Sequence, residues 1–242
     1  MRTLAAILVA AVLTLSGARA HDAIEPEAAE ALLDRVAALG AAARDDRPPR
    51  ERGAALYALG VAVARIRDEL NRALAAHGGK LGLVSSLLER ELRARGIALE
   101  LSPATKRYKS YLEPFVNYLV LSPVGPEHAD AQFRVLSGRF YDSFVSDPFR
   151  PLDLDLSAVV AQMVRAEALL RRYPDHPERQ EVLFILAVDR MRAAKGAADA
   201  ASAEHYLGRA RAALDELERS DPDDMRALAV RMLLESFTAG ER

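Results

Sequence analysis

The sequence predicts an all-α protein of about nine helices, stacked as antiparallel pairs. Apolar residues recur at spacings of three and four in nearly every segment, the period of one helix face. Proline pairs and glycines punctuate these segments where a helix should stop. Only residues 97–101, Ile97-Ala98-Leu99-Glu100-Leu101, could be a strand. With no evident pairing partner they read as an extended linker.

The first 20 residues stand apart from this pattern. Arg2 supplies a positive start, residues 4–15 are an almost unbroken apolar run, and Ala18-Arg19-Ala20 has the small-x-small form of a cleavage site. The run is too short for a helix to cross a ~30 Å hydrocarbon layer. Residues 1–20 therefore read as a cleaved secretory signal, and the mature protein as periplasmic. No later stretch is apolar for long enough to span a membrane, so no transmembrane segment is expected in the mature chain.

The helices then follow in order. Residues 26–44 put Ala29, Leu32, Leu33, Val36 and Leu39 on one stripe, which Pro48-Pro49 ends. Residues 51–76 run through Leu56, Leu59, Val63, Ile66 and Leu70 to His77-Gly78-Gly79, glycine accepting the left-handed conformation that follows a helix. Residues 81–95 are closed by Gly96. Ser102-Pro103 is expected to open a helix to about residue 121, kinked or restarted at Pro114, and Pro126 opens another to Val145. Asp147-Pro148-Phe149-Arg150-Pro151 is the clearest interior break. It divides an N-terminal helical region, 21–147, from a C-terminal one, 148–242. Helices near 157–173, 177–194, 202–219 and 222–237 complete the chain. Ser157, Ser202 and Asp221 are the expected N-caps, with Pro126, Pro177 and Pro222 in first turns.

Three helix starts look alike: Gly125-Pro126-Glu127, His176-Pro177-Glu178 and Asp221-Pro222-Asp223. Repeated helix–turn–helix units suggest an α-solenoid, in which each unit buries its face against its neighbours. The C-terminal third carries Leu183-x-x-Leu186-Ala187 in one helix and Ala210-x-x-x-Leu214-x-x-Leu217-x-x-x-x-Pro222 in the next. These strings resemble the tetratricopeptide repeat family, in the variety found in bacterial envelope proteins. Leu169-Leu170-Arg171-Arg172-Tyr173-Pro174-Asp175-His176-Pro177-Glu178 is similar to the turn between such repeats. Leu56-x-x-Leu59-Gly60 and Phe133-x-x-Leu136-Ser137 fit the first half-motif. Leu183 and Pro222 lie 39 positions apart, against about 28 for the same interval in a ~34-residue repeat, and the excess can be placed in residues 195–201. The resemblance implies a short tetratricopeptide-like solenoid that binds other proteins.

Composition excludes several functions. Among 242 residues, 33 Lys+Arg face 35 Asp+Glu, so no nucleic-acid partner is expected, because a phosphate-binding surface needs a basic excess. The absence of Cys excludes disulfides, thiolate metal sites and a cysteine nucleophile. Ser85-Ser86 and Ser137-Gly138 lack a strand–turn–helix setting for a nucleophile, and Gly78-Gly79-Lys80 is too short for a phosphate loop. Asp153-Leu154-Asp155 reads as capping or solvated carboxylates, and Glu235-Ser236 has too little chain after it to form a sugar cleft. No catalytic residue and no cofactor are expected.

Nine aromatics lie between Tyr108 and Phe149. Tyr108, Tyr111, Phe115 and Tyr118 share one helical face, as do Phe133, Phe140 and Phe144. The two stripes could pack together as core, which suits the Phe. A buried Tyr hydroxyl needs a partner, however. Tyr108, Tyr111 and Tyr118, beside Lys106, Arg107 and Lys109, read as the wall of a groove with Arg134 and Arg139 as a basic rim, since interfaces favour Tyr and Arg. His77, His128 and His176 fall at helix ends, as solvated imidazoles. His21 would become the mature N-terminus, where amine and ring nitrogen together can bind copper(II). The expected function is a non-catalytic periplasmic adaptor for an envelope protein or peptide. A copper-handling protein using His21 and a helical cell-wall hydrolase are the alternatives.

Overall fold

The computed structural model describes residues 25–44, 46–103, 105–143 and 155–239. They form nine α-helices: α1 Pro26–Arg44, α2 Pro49–Ala76, α3 Leu83–Ala94, α4 Glu113–Leu121, α5 His128–Ser143, α6 Leu156–Arg172, α7 Arg179–Lys195, α8 Ala200–Ser220 and α9 Met225–Ala239. The all-α expectation holds. None of the described helices is long and apolar enough to cross a membrane. The segment 1–20 expected to be a signal, His21, Phe144, Phe149 and the expected 147–151 break lie outside the described residues.

The chain divides into two compact units, one ending at Gly125 and the other beginning at Pro126. The division falls upstream of the expected 147/148 because α5 gives Leu136 and Phe140 to the core formed by α6 to α9. In the first unit α2 is the spine. Its Leu59, Ala62, Val63, Ile66, Leu70 and Leu74 are buried, and α1, α3 and α4 contact it. Gly53 and Gly60, two turns apart, face α4. A Cβ at Gly60 would stand 2.7 Å from Cζ of Phe115 and one at Gly53 2.4 Å from Oγ of Ser122, so only glycine admits α4 this closely.

The expected helix from Ser102 begins only at Glu113. The chain before it makes a tight antiparallel excursion, with Leu101 bridged to Tyr108. The Ser102 N–H donates to the Arg107 carbonyl and the Lys109 N–H to that of Glu100, each at 2.8 Å. Residues 97–101 thus do have a pairing partner, the segment whose Tyr108–Tyr111 spacing suggests a helix. Tertiary contacts outweigh that local signal. Buried Asn71 of α2 donates to the Tyr108 carbonyl at 3.2 Å and accepts from the Tyr108 N–H at 2.7 Å. Ile97, Leu99 and Tyr108 join the first unit's core. Lys106 makes the turn with φ of 55°, a left-handed conformation uncommon for a side-chain-bearing residue.

In the second unit α7 is the spine. Every residue from Val182 to Ala194 except Phe184 is buried, and α5, α6, α8 and α9 all contact it. In addition α5 contacts α6, and α8 contacts α9. The caps differ from expectation by a few residues. Asp155, not Ser157, caps α6 by accepting from the Ser157 N–H at 2.9 Å, and Asp199, not Ser202, caps α8 by accepting from the Ser202 N–H at 2.8 Å. At that position each carboxylate also meets the positive end of the helix dipole. Pro126, Pro177 and Pro222 lie in turns just before their helices, and Asp221 closes α8 rather than opening α9.

Candidate functional site

The residues expected to form one groove are divided between the two units. Tyr108, Tyr111, Tyr118, Lys106 and Arg107 belong to the first unit, whereas Arg134 and Arg139 lie on α5 of the second. Tyr118, 1% exposed, is a core residue, its ring 5.6 Å from that of Tyr57. Tyr108, 6% exposed, is buried too, and burial with the neighbouring Glu89 pushes its hydroxyl pKa up to about 12. Neither is a groove wall. Helical spacing put them on one face correctly only if the helix included Tyr108, which it does not. Lys106 and Arg107 are exposed at the tip of the excursion. Arg134 pairs with Asp130 one turn back, and Arg139 sits beside Arg165, burial and that like charge lowering its pKa.

Tyr111 is the exception. It lines a cleft of about 610 Å³ between α1, α2, α4 and the residues that follow α3. Leu56, Ile97 and Pro114 supply apolar walls, Val120 stands at the edge 76% exposed, and Arg44, Arg52 and Arg95 supply charge. The Arg52 Nε donates to the Ala43 carbonyl at 3.5 Å, one of the last in α1, where a cation is favoured. Arg95 Nη1 donates to its own helix, to Glu91 Oε2 at 2.8 Å and the Glu91 carbonyl at 2.9 Å. The Tyr111 hydroxyl donates to Glu113 Oε2 at 3.1 Å, and burial together with that carboxylate pushes its pKa up to about 12. Arg44 and Arg52 make no ion pair among the described residues. Both had a sequence signal, flanking Pro48-Pro49 at a helix end and a helix start, where a tight turn brings such residues to one side.

The second unit holds a buried charge cluster. Asp189, 1% exposed, accepts from Arg192 Nη1 at 3.1 Å, and the Arg192 guanidinium also lies 5.2 Å from the Phe140 ring centroid. Burial raises the Asp189 carboxyl to about 7 against the pull of Arg192. The Gln162 side chain adjoins Asp189 and, like Arg192, favours its charged form without offsetting the burial. Nearby Arg190, also buried, shares Glu167 Oε1 with Arg209, at 3.0 and 2.7 Å. The cluster fastens α7 to α6 and α8.

Two of the histidines expected to be solvated are instead buried. His176 Nδ1 accepts from the Glu178 N–H at 3.1 Å, and His128 Nε2 lies 3.0 Å from the Gln132 amide. Asp155 caps a helix, as expected of that carboxylate pair, and Asp153 lies outside the described residues. No group of three or more His, Asp or Glu that could hold a metal ion occurs among the described residues. No protein-family model, curated protein or solved structure matches the chain.

Proposed function

We propose that this protein is a non-catalytic, periplasmic helical adaptor that binds an envelope protein or peptide. The observation that carries the proposal is the Tyr111 cleft. It is concave, partly apolar, bounded by arginines, and built on helices held by their own core, the form of a preformed peptide site. Its anchors differ from those expected: Tyr111 stays, and Arg44, Arg52 and Arg95 take the part first given to Lys106, Arg107, Arg134 and Arg139. In the second unit, contacts between successive helices and between α5 and α7 and α7 and α9 support a short tetratricopeptide-like stack. Export rests on the 1–20 segment, and sequencing the cellular protein should find His21 first. The binding role is tested by affinity capture from envelope extract with the wild type and with Leu56→Glu, which charges the cleft wall. A partner retained by the first and lost by the second, with both melting alike, supports the adaptor. Equal retention, or none, overturns it.

A further inference from the structure

The charge balance of the Tyr111 cleft constrains what can occupy it. Arg44 and Arg52 have no carboxylate partner among the described residues, Arg95 is paired with Glu91, and Glu113 is held by the Tyr111 hydroxyl. A ligand that covered these two guanidiniums without offering acceptors would strip their water and return nothing for it. An occupant that brings carboxylates replaces that water with charge-matched acceptors. It gains further from an apolar side chain, because Leu56, Tyr111 and Val120 leave apolar surface in the cleft open to solvent. The α4 wall adds Asn117, which can donate and accept, beside the acceptor Glu113. Donors and acceptors distributed along an apolar strip suit a peptide backbone, whereas an acyl chain needs uniformly apolar walls.

Building on the adaptor reading, we infer that the cleft binds an acidic peptide segment, in which a large apolar side chain seated on Leu56 and Tyr111 is flanked by carboxylates that pair with Arg44 and Arg52. Guanidinium is the cation suited to this, since its fork can hold a carboxylate through two bonds. The pairs sit at the cleft's edge, so they steer association and discriminate partners, while the apolar seat supplies most of the hold.

The test is anisotropy titration of the full mature chain with a short labelled peptide carrying leucines between aspartates. The same peptide with asparagines and the fatty acid laurate serve as comparisons. The acidic peptide should bind at least about tenfold tighter than its asparagine counterpart at low salt, with the advantage shrinking as salt rises. Arg44→Ala with Arg52→Ala should erase the difference, and Arg52→Lys should keep part of it. Equal affinity for the two peptides, binding of neither, or laurate displacing a peptide that shows no charge preference overturns the inference. A photo-crosslinking residue at Val120 in cells separates this from the adaptor reading. An adduct whose captured segment is acidic and apolar supports both. An adduct on a segment without acidic residues overturns the peptide chemistry and leaves the adaptor standing. No protein adduct, or one only with a second copy of this chain, overturns both.

Discussion

Replacing Tyr118 with alanine should cost about 3–5 kcal/mol in urea denaturation, because its ring is enclosed by the first unit's helices and the cavity cannot close. Tyr111→Ala should cost only about 1 kcal/mol, since that side chain is half-buried at the cleft. Losses of equal size would show that Tyr111 is core. At Asp189 the expected signature is pH dependence. The folded carboxyl keeps its proton to about 7, whereas an unfolded aspartate loses it near ~4. Between those values the folded state binds more protons, so this contribution is full below the unfolded pKa and is lost as pH rises through the folded one. Asp189→Asn cannot ionise and should melt with a flatter pH profile over that window. An unchanged slope in melts between the two pH limits would mean that Asp189 titrates normally.

The α2–α4 contact depends on glycine more than on propensity. Gly60→Ala should raise helix propensity by about 1 kcal/mol, yet the new methyl would meet the Phe115 ring under 3 Å away. Overpacking of that kind typically costs about 1–3 kcal/mol, so a net loss of stability is expected, relieved when Phe115→Leu is added. A stabilised single variant would show that α4 can move aside. At the turn of 97–112 the reverse holds. Lys106 carries a left-handed φ of 55°, and Lys106→Gly should raise stability by about 0.5–1 kcal/mol, read as a higher midpoint of thermal unfolding.

Each unit has its own core, one around α2 and the other around α7. A fragment of residues 126–242 expressed alone should therefore keep a helical far-ultraviolet spectrum and a cooperative melt. A fragment that is unfolded would show that the second core is incomplete without the first unit. The cut belongs at Gly125–Pro126: starting the fragment at 148 would remove Leu136 and Phe140 and leave α7 partly uncovered.

Helix existence was legible because amphipathic period and breakers are local: the stripe of α1, the Pro48-Pro49 stop and the glycines after α2 and α3 each act through neighbours in sequence. Caps were less legible, since Asp155 and Ser157, or Asp199 and Ser202, both offer an acceptor and only the geometry of the first turn chooses between them. The aromatic spacing of 108–118 pointed to one helix face, but period says nothing about what lies across from it. Asn71, 37 positions away, satisfies the Tyr108 backbone in a bridge and takes Tyr108 out of any helix. The cleft likewise joins α1, α2, α4 and the chain after α3. Helices could be read from the chain wherever their own local signals hold them, because hydrogen bonds within a helix are local; residues 102–112, whose backbone bonds to distant partners, could not. Tertiary structure alone decided which side chains are buried and which arginines share a surface, because burial is a property of the partner that covers a residue and not of its neighbours along the chain.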